Sequence, residues 1–183
     1  MPNRVHPEEL RALQVLQTIE PAKFRTAVNR DRPDIQCLDG TVGVEVTRAI
    51  EQAVSALLAT DQHSAHRRPH PARLHLGHTV GGPRDAVFPN ARWTSGNDMV
   101  AAYQRKARLL PGYASFAEQD LFLFMLPEAS DVARLRGYLR TVTPVFTVIY
   151  MYDQRHCWRL ETASNTITRF VVAGRSADSG RHL

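Results

Sequence analysis

The sequence predicts an α/β fold in which a mixed central β-sheet is flanked by helices. Three observations predict this class: a hairpin signal near residue 40, two nearly continuous apolar runs typical of strands covered on both faces, and amphipathic segments between them. With 183 residues, of which 43% are hydrophobic, the chain can bury one sizeable core. We therefore expect a single domain over residues 1–172.

The N-terminal part is predicted to contain a helix and a β-hairpin. The helix begins at Pro7, carries acidic residues in its first turn and is limited by Pro21. Two short strand candidates, 34–38 and 42–47, are joined by an Asp-Gly dipeptide, which is one of the stronger hairpin signals. A further helix is expected to follow the second strand directly, over 48–59.

The rest of the chain is predicted to alternate between helices and strands after a loop-rich insertion. The insertion, at about 61–93, contains five histidines together with several glycines and prolines. The polar tail, 173–183, is expected to be disordered. Between these segments the patterns predict helices over 94–110 and 130–140 and strands over 121–126, 145–152 and 156–161.

Composition and terminal sequence limit which cellular compartment and which partners are expected. The formal charge of +5 permits contact with a polyanion such as nucleic acid. The cysteines, Cys37 and Cys157, lie far apart and form no Cys-x-x-Cys pair, which argues against a disulfide framework or a thiolate zinc site. The N-terminus lacks a signal-peptide pattern, and no apolar run is long enough to span a bilayer. We expect a cytoplasmic protein without membrane contact.

Two carboxylates on the predicted hairpin could hold a metal ion. Because side chains alternate along a strand, Glu45 and Thr47 point away from the neighbouring valines of the second strand. Asp34, at the start of the first strand, would lie alongside and supply further hard oxygen ligands of the kind that Mg²⁺ or Mn²⁺ prefers. In the structural alternative, Asp34 caps a turn and Glu45 is a solvated strand residue.

Charged residues also occur on predicted core faces of helices. On a helical wheel Lys106 falls among apolar residues, and the chain has only one other lysine, Lys23. Glu9 and Glu20 fall on the apolar side of the first helix. Such charges are costly unless they are paired, although the lysine could also snorkel to water and both glutamates could be structural.

The segments Arg-Pro-Asp at 32–34 and Gly-Val-Glu-Val-Thr at 43–47 together resemble the motif of the PD-(D/E)XK nuclease superfamily. The predicted order of elements over residues 8–126 resembles its common core as well. This resemblance implies a restriction-endonuclease-like core and metal-dependent hydrolysis of phosphodiester bonds in DNA or sometimes RNA. It also implies that Asp34, Glu45 and the backbone carbonyl of Val46 bind Mg²⁺ or Mn²⁺.

The chain departs from this motif at Thr47, which stands where the family has a lysine. In some members that lysine has moved to a neighbouring helix, and Lys106 matches such a relocation. Lys106 would then act as the third catalytic residue, with Thr47 and the glutamates Glu9 and Glu20 as possible accessories. If Lys106 cannot reach Glu45, we expect instead a catalytically inactive nuclease-fold module that binds nucleic acid or a protein partner.

The insertion at 61–93 could add contacts to nucleic acid, with DNA expected more than RNA. Arg67, Arg68 and Arg73 would lie near phosphates and raise affinity without sequence selectivity. A plain solvated loop is an open alternative, and so is a zinc site formed by the histidines of this segment. A toxin or immunity protein is a third functional class, for which the chain carries no specific signature.

Overall fold

The computed structural model describes residues 6–49, 96–125 and 129–172, which all belong to one compact unit. Within these ranges the chain forms three α-helices, a short 3₁₀ helix and seven strands. The helices are α1 (Pro7–Ile19), α2 (Gly96–Leu109) and α3 (Ala129–Leu139), and the 3₁₀ helix spans Leu110–Gly112. The strands are β1 (Ala27–Asn29), β2 (Ile35–Cys37), β3 (Val42–Arg48), β4 (Glu118–Phe124), β5 (Val148–Tyr152), β6 (His156–Glu161) and β7 (Thr166–Val171).

The strands form one sheet whose spatial order follows the chain from β1 to β7. The first three strands are antiparallel neighbours, β3, β4 and β5 run parallel, and β5, β6 and β7 are again antiparallel. Parallel neighbours need a crossover connection, and the connection from β4 to β5 contains α3. The predicted α/β class with a mixed sheet flanked by helices is therefore confirmed.

The two faces of the sheet carry separate hydrophobic cores because side chains alternate along each strand. One face packs against α1 and includes Val44, Phe122 and Tyr150. The other face packs against α2 and α3 and includes Leu121 and Ile149. The two faces are called below the α1 face and the α2 face.

Several strand boundaries differ from the predicted ones. β4 begins at Glu118, ahead of the apolar run, because it pairs with β3 from Val42 onward. β5 begins only at Val148, since the backbone N–H of Val145 donates to the hydroxyl of Tyr103 at 3.0 Å instead of joining the sheet. β1 and β7 lie outside the predicted set, because the first has three residues and the second has no regular alternation of burial.

Other predictions concern segments that the structure does not describe. The helix expected over 48–59 is wrong at its first two residues, because β3 continues through Arg48 and Ala49 is not helical; residues 50–59 lie outside the described residues. The insertion at 61–93 and the tail at 173–183 also lie outside them. Among the helices that are described, none combines the length and the apolar character needed to cross a membrane.

Candidate active site

Three charged side chains meet on the α2 face of the sheet. The Nζ atom of Lys106 lies 2.6 Å from Oε2 of Glu45 and 3.6 Å from Oδ2 of Asp34. Glu45 comes from β3, Asp34 directly precedes β2, and Lys106 belongs to α2. The structure thus brings together the two carboxylates and the amine that the sequence predicts as the catalytic set.

Strand alternation explains the direction of Glu45. In the sheet Glu45 lies level with Leu121 of β4, which in turn lies level with Ile149 of β5, and both of these residues belong to the α2-face core. The carboxylate therefore points between the sheet and α2, where it is only 1% exposed. A charge in such a place requires a partner, and Lys106 provides it.

Asp34 is held by the backbone of the strand that carries Glu45. Its Oδ2 atom accepts a hydrogen bond of 2.7 Å from the N–H of Val46. The side chain of Asp34 is 19% exposed, so it reaches the solvent while Glu45 does not. The hairpin thereby sets the relative position of the two carboxylates.

The glycine of the motif has a packing role. A Cβ atom at Gly43 would lie 2.7 Å from side-chain atoms of both Phe116 and Pro33. A glycine in a strand often marks such a close approach by a neighbouring group. Gly43 therefore lets the segment that leads into Asp34 pack directly against β3.

Burial and mutual contact shift the pKa values of Glu45 and Lys106, the two best-buried charged groups of the site. Loss of water raises the pKa of Glu45, and the charge of Asp34 adds to the rise while the ammonium of Lys106 opposes it. Burial alone lowers the pKa of Lys106, but the carboxylates of Asp34 and Glu45 together outweigh it, so the pKa of Lys106 is raised. The amine consequently keeps its proton at neutral pH and can act as a cation and hydrogen-bond donor.

Asp34 and Glu45 carry carboxylate oxygens of the kind that a divalent cation prefers. The Oε1 atom of Glu45 is buried and has no hydrogen-bond partner among the described residues, which is costly for an isolated acceptor. No group of three or more His, Cys, Asp or Glu side chains suited to a metal occurs within the described ranges, so Asp34 and Glu45 would supply two ligands. The carbonyl of Val46 stays a predicted third ligand.

Glu9 is connected to Asp34 through one intervening side chain. The side-chain amide of Asn29 donates to Oε2 of Glu9 and to the backbone carbonyl of Asp34, both at 2.9 Å. Glu9 thus contacts the site indirectly, through the last residue of β1. Thr47, the other predicted accessory, accepts a hydrogen bond of 3.0 Å from the guanidinium of Arg105.

Glu20 belongs to a different cluster, on the α1 face. It lies beyond the last residue of α1, where a helical wheel no longer describes its direction. The hydroxyl of Tyr150 donates to Glu20, and Nε of Arg159 lies 3.1 Å from it. The structure therefore does not bring Glu20 to the Asp34 and Glu45 site.

The same α1-face cluster contains the second lysine of the chain. The Nζ atom of Lys23 lies 2.9 Å from Oδ2 of Asp120 and also pairs with Glu118. Asp120 lies level with Val44, the residue directly before Glu45 in β3. Because side chains alternate, the buried carboxylates of Asp120 and Glu45 point to opposite faces of the sheet. Each of the two lysines thus pairs with two carboxylates, on opposite sides of one sheet.

Three residues at the site were not among the predicted ones: Asn29, Arg105 and Tyr113. Asn29 lies on β1, which gives no periodic signal, and Arg105 falls on the solvent side of the helical wheel. Burial, followed by the charge of Glu45, raises the pKa of Tyr113, so the charge of the site acts on its hydroxyl. A tyrosine in a loop carries no local pattern that could have revealed this.

The predicted phosphate contacts Arg67, Arg68 and Arg73, and the histidines of the insertion, lie outside the described residues. Comparison of the chain with protein-family models, with curated proteins and with solved structures finds no match. The functional assignment therefore depends on the geometry of the site.

Proposed function

We propose that this chain is a metal-dependent phosphodiesterase that hydrolyses nucleic acid in the manner of the PD-(D/E)XK nucleases. The observation that carries the proposal is the approach of one ammonium, Lys106, to within 2.6 Å and 3.6 Å of two carboxylates whose spacing resembles that motif. The order of α1, three antiparallel strands, α2 and a parallel β4 is compatible with a restriction-endonuclease-like core and supports the proposal.

Asp34 and Glu45 would hold Mg²⁺ or Mn²⁺, with the unpartnered Oε1 of Glu45 among the donor atoms. Such an ion, when bound, supplies Lewis-acid polarisation of the phosphate and a more acidic water. Lys106 keeps its proton, so it orients the attacking water as a donor and stabilises negative charge that develops on the phosphate. Asn29 and Glu9 maintain the backbone position of Asp34.

Lys106 would supply the positive charge that Thr47 lacks. A threonine cannot carry positive charge, whereas Lys106 brings its ammonium to the α2 face from a different element. The charge of the whole chain, +5, is compatible with a polyanionic substrate, for which DNA is expected more than RNA.

A catalytically inactive module of the same fold is the second candidate. The observation that favours it is that Lys106 is already opposed by two carboxylates, as in a buried ion pair with a structural role. Such a module would bind nucleic acid or a protein partner without cleaving a phosphodiester bond.

The test is cleavage of single-stranded and double-stranded DNA and RNA by the purified protein, with Mg²⁺ or Mn²⁺ and then with a chelator. We expect Glu45→Gln, Asp34→Asn and Lys106→Met each to lower the rate by about 100-fold or more. The matched control is Lys23→Met, which removes the same charge from a lysine that also pairs with two carboxylates, but on the α1 face.

Cleavage that resists the chelator or survives Glu45→Gln would contradict the proposed mechanism. Equal losses in the Lys106→Met and Lys23→Met variants would indicate a general effect on folding, and circular dichroism of both variants checks this. Binding of nucleic acid with no cleavage under any of these conditions would favour the inactive module.

A further inference from the structure

Two adjacent residues of α2 contact β3 at positions two residues apart. Lys106 donates to Glu45 at 2.6 Å, and the NH2 group of Arg105 donates to Oγ1 of Thr47 at 3.0 Å. Glu45 and Thr47 lie on the same side of β3 because side chains alternate. Thr47, at which the motif departs from the family, is thus contacted by an arginine from the neighbouring helix.

The charges around the site are unequally compensated. Lys106 is opposed by two carboxylates, so these three groups together carry a net negative charge. Arg48 pairs with Glu8, and Arg32 lies 3.8 Å from the carboxylate of Asp31. Lys106, Arg48 and Arg32 therefore each have a carboxylate partner.

Arg105 differs from these cations. It is exposed and makes no ion pair with any residue in the part of the chain that the structure describes. Its neutral partner, Thr47, fixes one N–H donor and leaves the charge uncompensated. The remaining donors of a planar guanidinium suit two-point contact with phosphate oxygens.

We propose that Arg105 binds a backbone phosphate of the nucleic acid at this site and that Thr47 is its positioning residue. This inference depends on the proposed function for the identity of the ligand. It assigns Thr47 a role as hydrogen-bond acceptor for an arginine, in place of the cationic role that a lysine has at that position in the family.

The test is binding measured without cleavage, by fluorescence anisotropy of a labelled duplex and a labelled single strand in buffer with a chelator. All variants are made in a Glu45→Gln background, and the affinity is measured over a series of KCl concentrations. We expect Arg105→Ala to weaken duplex binding about tenfold and to reduce the slope of log K against log[KCl] by about 0.9, the value for one lost phosphate contact.

Thr47→Val and Thr47→Ser separate positioning from simple packing. The valine variant keeps the shape but lacks the acceptor, so we expect binding to weaken about threefold, whereas serine restores it. In the Arg105→Ala background, Thr47→Val should have no further effect, because Thr47 acts only through Arg105. The matched control is Arg140→Ala, which removes an exposed arginine outside the site and should change affinity by less than about twofold.

Equal effects of Arg105→Ala and Arg140→Ala would overturn the inference, since the charge would then act non-specifically. Unchanged binding after Arg105→Ala, when the wild-type protein cleaves nucleic acid, would overturn the inference and leave the proposed function standing. Weaker binding and a lower salt slope after Arg105→Ala, when the wild-type protein does not cleave nucleic acid, would support the inference and contradict the proposed enzyme. Failure of the Glu45→Gln protein to bind either oligonucleotide would overturn the inference, whereas the proposed function is decided by the cleavage assay with Mg²⁺ or Mn²⁺.

Discussion

Replacing Lys106 with methionine measures how strongly the central ion pair contributes to folding. With an effective dielectric constant of about 20, two charges 2.6 Å apart attract each other by about 6 kcal/mol. Burial offsets part of this attraction, because the side chains of Glu45 and Lys106 are only 1% and 15% exposed. We expect Lys106→Met to lower the free energy of unfolding by about 3 to 5 kcal/mol at neutral pH, since it leaves a buried carboxylate without its cation.

Urea denaturation of the wild type, Lys106→Met, Glu45→Gln and the double variant measures the coupling between the two residues. The double variant should lose less stability than the sum of the single losses, by at least about 1.5 kcal/mol. The exposed Arg140→Met is the control and should change stability by no more than about 0.5 kcal/mol. A coupling energy below about 0.5 kcal/mol would refute the reasoning, because the pair would then behave like a solvated surface contact.

Gly43→Ala should destabilise the fold by about 1 to 3 kcal/mol, because the added methyl group meets the ring of Phe116 at 2.7 Å; an unchanged melting temperature would contradict this packing. Burial raises the pKa of Asp120 to about 7 from the usual 3.8, despite the opposing charge of a lysine, so its protonated form favours the folded state. The free energy of unfolding of the wild type should therefore fall relative to that of Asp120→Asn as the pH rises from about 4 to about 7, by at most about 4 kcal/mol. Urea denaturation at each pH measures this, and a pH-independent difference between the two proteins would contradict the raised pKa of Asp120. Burial raises the pKa of Cys157 to about 12 and also raises that of Cys37, so neither thiol should react with Ellman's reagent until the protein unfolds; rapid reaction of the native protein would show that a thiol is accessible.

Local patterns were sufficient to predict most of the described elements. α1 begins at Pro7 as predicted, and α3 differs from the predicted 130–140 by one residue at each end, because caps and apolar periodicity are encoded within a few neighbouring residues. Local patterns did not predict β1, whose three residues are too few to show a period, or β7, whose exposed side chains do not alternate with buried ones.

The sequence by itself determined which way the main site residues point. Alternation in β3 places Glu45 opposite the valines, and helical periodicity turns Lys106 toward the core. Only the tertiary structure decided what they meet: Lys106 lies 61 residues from Glu45 in the chain, and their contact depends on how α2 packs on the sheet. The contact of Arg105 with Thr47 and the separation of Glu20 from the site were decided in the same way. Short-range patterns set the direction of a side chain relative to its own element, whereas packing between elements sets its partner.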